Sequence, residues 1–300
     1  MEKRQLGRDG DFVSTIGFGA WPISGAMGTV DEQTAIATVH AAIDSGITLI
    51  DTAQGYRTSE ALVGKALKEG HRERVFLATK VTGRYSRQAI REAIENSLRN
   101  LQTDHVDLYQ IHGWNPQYPI DESMEAMEQL RQEGKTRYIG VSNFNVGQMK
   151  TAAQTAPFHS LQPRYNLLDR EIESDILPYC EAEGIGILAH SPLAKGVLTG
   201  KYAPDHQFPQ NDERSQMSRF QGEEFRRNLE KAEKLKTIAQ RCNLTLIQLA
   251  IGWLLRLSAV TCVLVGAKNP AQVAEHVGGQ GWQLSDEELR EIESVLTDSI

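Results

Sequence analysis

The run Val75-Phe76-Leu77-Ala78-Thr79-Lys80-Val81, then a helically spaced apolar pattern over 87–100, then Val106-Asp107-Leu108-Tyr109-Gln110-Ile111-His112, decides the fold. Short runs rich in Val, Ile and Leu read as buried strands, and a 3.6-residue apolar spacing between them reads as an amphipathic helix. The alternation continues in both directions. Strands are expected at 15–21, 48–51, 75–81, 106–112, 138–142, 160–162, 185–190 and 261–266. Helical patterns fall at 32–44, 59–69, 87–100, 122–133, 146–155, 174–183 and 228–257, and a last one begins near Pro270. Strict β/α alternation without a Pro/Gly/Ser-rich linker predicts an α/β chain folded as one (β/α)8 TIM barrel, a single domain over 1–300. A doubly wound sheet fits less well, because no Gly-x-Gly-x-x-Gly follows an early strand.

Composition narrows the function classes. With 40% hydrophobic and 24% charged residues the chain is expected to fold, not to remain disordered. Its net charge is −7 and it has no long block of like charge, so nucleic acid is an unexpected partner. The longest apolar stretch, 244–267, is broken by Gln248, Arg256 and Ser258, which suits a buried helix and a strand better than a membrane span. Positions 1–11 are charged and lack the apolar centre of a secretory signal. Cys180, Cys242 and Cys262 match no metal-binding spacing and fall in three separate apolar elements. They read as reduced core thiols of a cytoplasmic protein.

Polar residues gather where the expected strands finish: Asp51, Lys80, His112, Ser142 with Asn143, Gln162, and His190 with Ser191. A parallel barrel brings all strand C-termini to one mouth, where chemistry sits. The long segment at about 194–225, with two prolines and mixed charge, reads as a lid or substrate-binding loop. Asp51, Tyr56, Lys80 and His112 would face one another there. Hydride reduction of a carbonyl leaves an alkoxide that needs a proton, and a phenol near pKa 10 is a poor donor at neutrality. An ammonium beside it would pull that pKa toward working pH, with Asp51 holding Lys80 charged and His112 bonding the substrate oxygen.

With these motifs in order, the chain resembles the aldo-keto reductase superfamily, in particular a bacterial branch with inositol- and general-aldehyde-type reductases. The resemblance rests on 51–56 (Asp-Thr-Ala-Gln-Gly-Tyr), 78–80 (Ala-Thr-Lys), 107–112 and 140–144 (Gly-Val-Ser-Asn-Phe). It continues through 161–168, 191–202 and 266–268, essentially the whole chain. It implies that Tyr56 is the general acid, tuned by Lys80 and Asp51, and that His112 orients the carbonyl. It also implies an NADPH cofactor, a small carbonyl or alcohol substrate, and no metal.

By the same resemblance, Ser142, Asn143 and Gln162 would hold the nicotinamide carboxamide, and Gly19, Ala20, Trp21 and Asp51 would adjoin the cofactor. His190 stands where the family commonly stacks an aromatic on the nicotinamide. Ser191, Pro192, Leu193, Gly196, Lys201 and Arg214 would serve the pyrophosphate. Gly266 and Lys268, opening a helix, would meet the adenosine phosphate, with Gln272, Glu275 and His276 on the adenine side. Lys268, with no acidic residue to favour a free ribose hydroxyl, implies NADPH over NADH. Trp21, Tyr56, His112 and Trp114 would line the substrate pocket; Arg57, where many family members have Gly, departs from the pattern and either places a cation near the mouth or points into solvent. Two other readings stay open: an aldolase using Lys80 as a Schiff-base nucleophile, and a cofactor-sensing regulatory subunit with little turnover.

Overall fold

The computed structural model describes residues 1–297. Positions 298–300, which the single-domain reading also spanned, lie outside the described residues. The parallel strands β3 (Ile16–Gly19), β4 (Leu49–Asp51), β5 (Phe76–Val81), β6 (Val106–Ile111), β7 (Thr136–Ser142), β8 (Ser160–Gln162), β9 (Gly186–His190) and β10 (Val260–Val265) close into a barrel in chain order, β10 pairing β3. This is the expected (β/α)8 TIM barrel. Helices α1 (Glu32–Asp44), α2 (Ser59–Ala66), α3 (Arg87–Leu101), α4 (Ile120–Gln132), α5 (Val146–Thr155) and α6 (Ile176–Glu183) fill the crossovers that the periodicity marked.

Side chains alternate across each strand, which sorts the barrel interior into layers. Leu49, Phe76, Ala78, Leu108, Leu188, Cys262 and Leu264 form an apolar cluster inside it. Two residues further along their strands, Asp51, Lys80, Gln110 and His190 make the layer at the mouth, with Gln162 closing β8. The floor was not read from the sequence. The antiparallel pair β1 (Lys3–Gln5) and β2 (Phe12–Ser14) precedes the barrel, and the fully buried Leu6 and Val13 join the interior cluster from below.

Three expectations need correction on the C-terminal side. The single helix expected at 228–257 is two, α7 (Gly222–Arg241) and α8 (Leu246–Leu255), meeting at 85°. Asn243 turns left-handed between them (φ 55°), and Thr245 and Gln248 form a reciprocal capping box that starts α8. Helix α9 (Pro270–Val277) begins at the expected proline, but a further helix, α10 (Asp286–Thr297), packs on α7. Cys180 and Cys262 are buried thiols as expected, whereas Cys242 is half-buried at the end of α7 and donates to Glu288 Oε1 at 2.9 Å. Among the described residues, no single helix is long and apolar enough to cross a membrane.

Close helix packing offers a test of the frame. A Cβ on Gly64 of α2 would stand 2.5 Å from the Asn100 carbonyl oxygen and 2.8 Å from the Leu101 backbone of α3. Backbone cannot rotate aside as a side chain can. Gly64→Ala is expected to destabilise the chain by about 1–3 kcal/mol, the usual cost of overpacking. Urea unfolding should show a lower midpoint with an unchanged slope.

Candidate active site

Tyr56 sits in a tight turn after β4. Thr52 N donates to Ala78 O, Gln54 N to Lys80 O and Tyr56 N to Ala53 O, while Arg57 adopts φ 48° and stays exposed. The Thr52 hydroxyl donates to Ser59 Oγ at 2.9 Å, and Ser59 in turn to Ala20 O at 3.1 Å. The turn is thereby fixed against both neighbouring strands. Ala20 belongs to this scaffold and is fully buried; it does not line the cleft.

Lys80 is wholly buried. Its ammonium donates to Asp51 Oδ2 at 2.5 Å, to Thr52 O at 2.8 Å and to Tyr56 OH at 3.3 Å, using its three hydrogens. Burial alone would push Lys80 toward the neutral amine, but Asp51 and Tyr56 outweigh it and hold the ammonium above its ordinary range. The other Asp51 oxygen accepts from Gln162 Nε2 at 2.9 Å and Gln110 Nε2 at 3.2 Å. Gln110, fully buried, was missed in the sequence reading. The signal available was a polar residue inside an apolar strand, on the same face as His112 two positions on.

Burial raises the Tyr56 pKa and is the largest influence; Lys80 lowers it, Asp51 raises it, and the net direction is upward. Lys80 pulls the phenol pKa down, but burial outweighs it. The group is held firmly as the protonated acid. His112 Nδ1 pairs with Thr82 Oγ1 at 2.9 Å, and the ring lies 5.5 Å from that of Tyr56. Burial first, and the Lys80 charge second, lower its pKa to about 3, so the imidazole is neutral.

Around the rest of the mouth the polar groups bond one another. Asn143, at φ 58°, donates to His112 O at 3.2 Å and Ser142 Oγ at 3.0 Å, and Ser142 donates to Gln162 O at 2.8 Å. His190 pairs through Nε2 with Asn143 Oδ1 and through Nδ1 with Ser191 Oγ, each at 3.0 Å. Its pKa is lowered to about 3, chiefly by burial, so the ring is neutral. An amide oxygen only accepts, so Nε2 carries the proton and Nδ1 accepts from Ser191. Of the three residues expected to hold a carboxamide, Ser142 and Asn143 are thus engaged with their neighbours. Gln162 has both amide hydrogens used, its side-chain Oε1 has no hydrogen-bond partner among the described residues, and it lines the cleft.

That cleft has a volume of about 610 Å³. Trp21, Tyr56, His112 and Gln162 line it together with Gly19 and His190; the 191–196 segment and Lys201 continue it, and Gly266, Lys268, Gln272, Glu275 and His276 complete it. Trp114 stands outside this lining, edge-on against Phe144 at 5.8 Å. Arg214 reaches the lining but is 6% exposed, and its guanidinium is occupied. It pairs with Asp212 through two nitrogens, and donates to Tyr202 OH at 2.6 Å, Lys195 O at 3.2 Å and Met27 O at 3.5 Å. It holds the 200–221 loop, with no hydrogen left over for a pyrophosphate. Lys195 and Arg164, which also line the cleft, escaped the sequence reading. Lys268 is half-buried and bonded to Met27 O; burial, then Arg214, lower its pKa. Gln272 Oε1 accepts from Lys268 N at 2.8 Å, and His276 is buried and neutral, its pKa lowered to about 4 by burial.

A model of the aldo/keto reductase family matches residues 15–297. The aldo-keto reductase YhdN of Bacillus subtilis (strain 168) is 41% identical, covering 100% of this chain and 95% of that protein. An NADH-specific methylglyoxal reductase of Escherichia coli (strain K12) is 33% identical over 99% of each. The structure of the glycerol dehydrogenase AKR11B4 from Gluconobacter oxydans superposes with a TM-score of 0.88 at 36% identity, covering 98% of this chain and 94% of that one. The chain belongs to the aldo-keto reductase family. It is an enzyme, an oxidoreductase dependent on a nicotinamide cofactor.

The neutral histidines set a pH dependence. His112, His190 and His276 have depressed pKa values when folded, near 3, 3 and 4, against about 6.5 unfolded. Below pH 6.5 the unfolded chain takes up protons that the native state refuses, so stability falls as pH drops toward 4. Denaturant unfolding at stepped pH is expected to show this decline. A flat response from pH 7 to 4 would mean that these rings keep ordinary pKa values.

Proposed function

We propose that the enzyme reduces small aldehydes and ketones with NADPH, reversibly, in the cytoplasm, with Tyr56 as the proton donor. The observation that carries this reading is the buried Lys80 ammonium, 2.5 Å from Asp51 and 3.3 Å from the Tyr56 phenol. A protonated phenol at a mouth shared with a neutral imidazole can give its proton to a developing alkoxide. Lys80 donates a hydrogen bond to the phenol oxygen, which stabilises the phenolate that remains. His112, neutral, offers its free ring nitrogen to the carbonyl oxygen and adds no competing charge.

The residues fit a dinucleotide. The Gln162 Oε1 suits a carboxamide N–H, Lys201 suits a diphosphate, with Lys195 alongside but paired with Glu213, and Lys268 beside the start of α9 suits a ribose phosphate. His190, held by two hydrogen bonds, would border the ring. When bound, the cofactor supplies the hydride. Trp21 would wall the substrate, while Trp114 supports Phe144 from behind. Schiff-base chemistry at Lys80 is disfavoured, because a lysine locked as ammonium by Asp51 is not a nucleophile. A purely regulatory role is disfavoured by the complete proton-delivery group.

Tyr56→Phe should remove nearly all carbonyl reduction and leave cofactor binding almost intact, a loss of ~10²–10⁴-fold in kcat. Retention of more than about a tenth of kcat on an unactivated aldehyde would exclude Tyr56 as the acid. NADPH preference rests on Lys268, whose partial engagement with Met27 places the effect at the low end of roughly 10–100-fold. Lys268→Ala should raise the Kd for NADPH and barely change that for NADH. Equal losses for both would remove Lys268 as the reader of the phosphate.

A further inference from the structure

Glu213 lies on the 200–221 loop, far from the catalytic strands in sequence. Its Oε1 accepts from the Trp21 indole Nε1 at 2.8 Å and from the Lys195 ammonium at 2.7 Å, and its backbone N–H donates to Ala26 O at 3.2 Å. Trp21 in turn stands edge-on to Tyr56, with ring centroids 4.7 Å apart and planes at 64°. One carboxylate therefore connects the loop, the segment after β9 and the wall of the phenol.

We propose that Glu213 is a positioning residue for the reaction: it holds Trp21 against Tyr56, so that the orientation of the proton donor depends on the seating of the 200–221 loop. This rests on Tyr56 as the acid. Glu213 is not needed merely to fold the loop. Arg214 already fastens the loop through Asp212, Tyr202, Lys195 O and Met27 O, with Phe208 stacked on its guanidinium at 4.5 Å. What Glu213 adds is the bond to Trp21, and a negative charge near the phenol. The charged and titratable groups around Tyr56 are Lys80 on β5, Asp51 on β4, the neutral His112 after β6, and Glu213 with Lys195 behind it. Of these, Asp51 and Glu213 push the phenol pKa up and Lys80 pulls it down.

Two substitutions separate geometry from charge. Glu213→Gln keeps an oxygen for Trp21 and Lys195 but removes the charge; Glu213→Ala removes both. Glu213→Ala is expected to lower kcat about tenfold, as misplacement of a catalytic group does. Glu213→Gln should stay within about threefold of the parent, with the alkaline limb of its kcat profile moved to lower pH, because losing a nearby negative charge favours the phenolate. In a Trp21→Phe background, Glu213→Ala should cost nothing further. A readout independent of turnover is the Trp21 indole N–H resonance, identified by its loss in Trp21→Phe. It should move in Glu213→Ala and hold in Glu213→Gln. A stationary resonance in Glu213→Ala, multiplying losses in the double variant, or an unmoved alkaline limb in Glu213→Gln would each overturn the proposal. A moved resonance together with an active Tyr56→Phe would overturn the proton-donor reading alone.

Discussion

The Lys80–Asp51 ion pair inside the barrel is the constraint to which the rest of the mouth answers. Two buried charges are costly to desolvate, and they are tolerated only where geometry is close and every remaining lone pair and proton has a partner. Here Thr52 O and the phenol take the other two ammonium hydrogens, while Gln110 and Gln162 take the second carboxylate oxygen. Those partners come from the turn after β4 and from β6 and β8. The strand register that levels Lys80 with Gln110 is therefore also what neutralises the pair. Removing either charge alone would strand its partner in an apolar shell.

Beyond this pair, the rim is a chain of hydrogen bonds from His112 O through Asn143 to His190 and Ser191. Such a network fixes side-chain orientation before any ligand arrives, which lowers the ordering cost of binding. It also fixes protonation. With both rings neutral, the ammonium of Lys80 is the positive charge nearest the phenol, and the field there is set by few groups.

The barrel was legible because its strands are short apolar runs, and six of the eight, β4 to β9, carry a polar side chain at or beside their C-terminal ends. Parallel closure then obliges those ends to meet. Gln110 escaped because it lies one step inside its strand, where a lone polar residue reads as packing. Glu213, and the loop-fastening role of Arg214, were opaque for a different reason. Both sit on an irregular segment whose path is set by contacts with Met27, Ala26 and Trp21 nearly two hundred positions away, which no local period encodes. The break between α7 and α8 was written in Asn243 and in the Thr245 to Gln248 capping box, but the apolar spacing runs across it and hid it. Helix α10 likewise opens on a reciprocal Ser285 and Glu288 cap.

The hairpin beneath the barrel places two kinds of burden at opposite poles. Leu6 and Val13 seal the interior from below. The plug is separated from the mouth by the apolar filling of the barrel. A chain lacking the hairpin would keep every residue of the cleft and yet open its floor to water. Robustness and turnover in this enzyme are accordingly adjustable from different ends of the same cylinder.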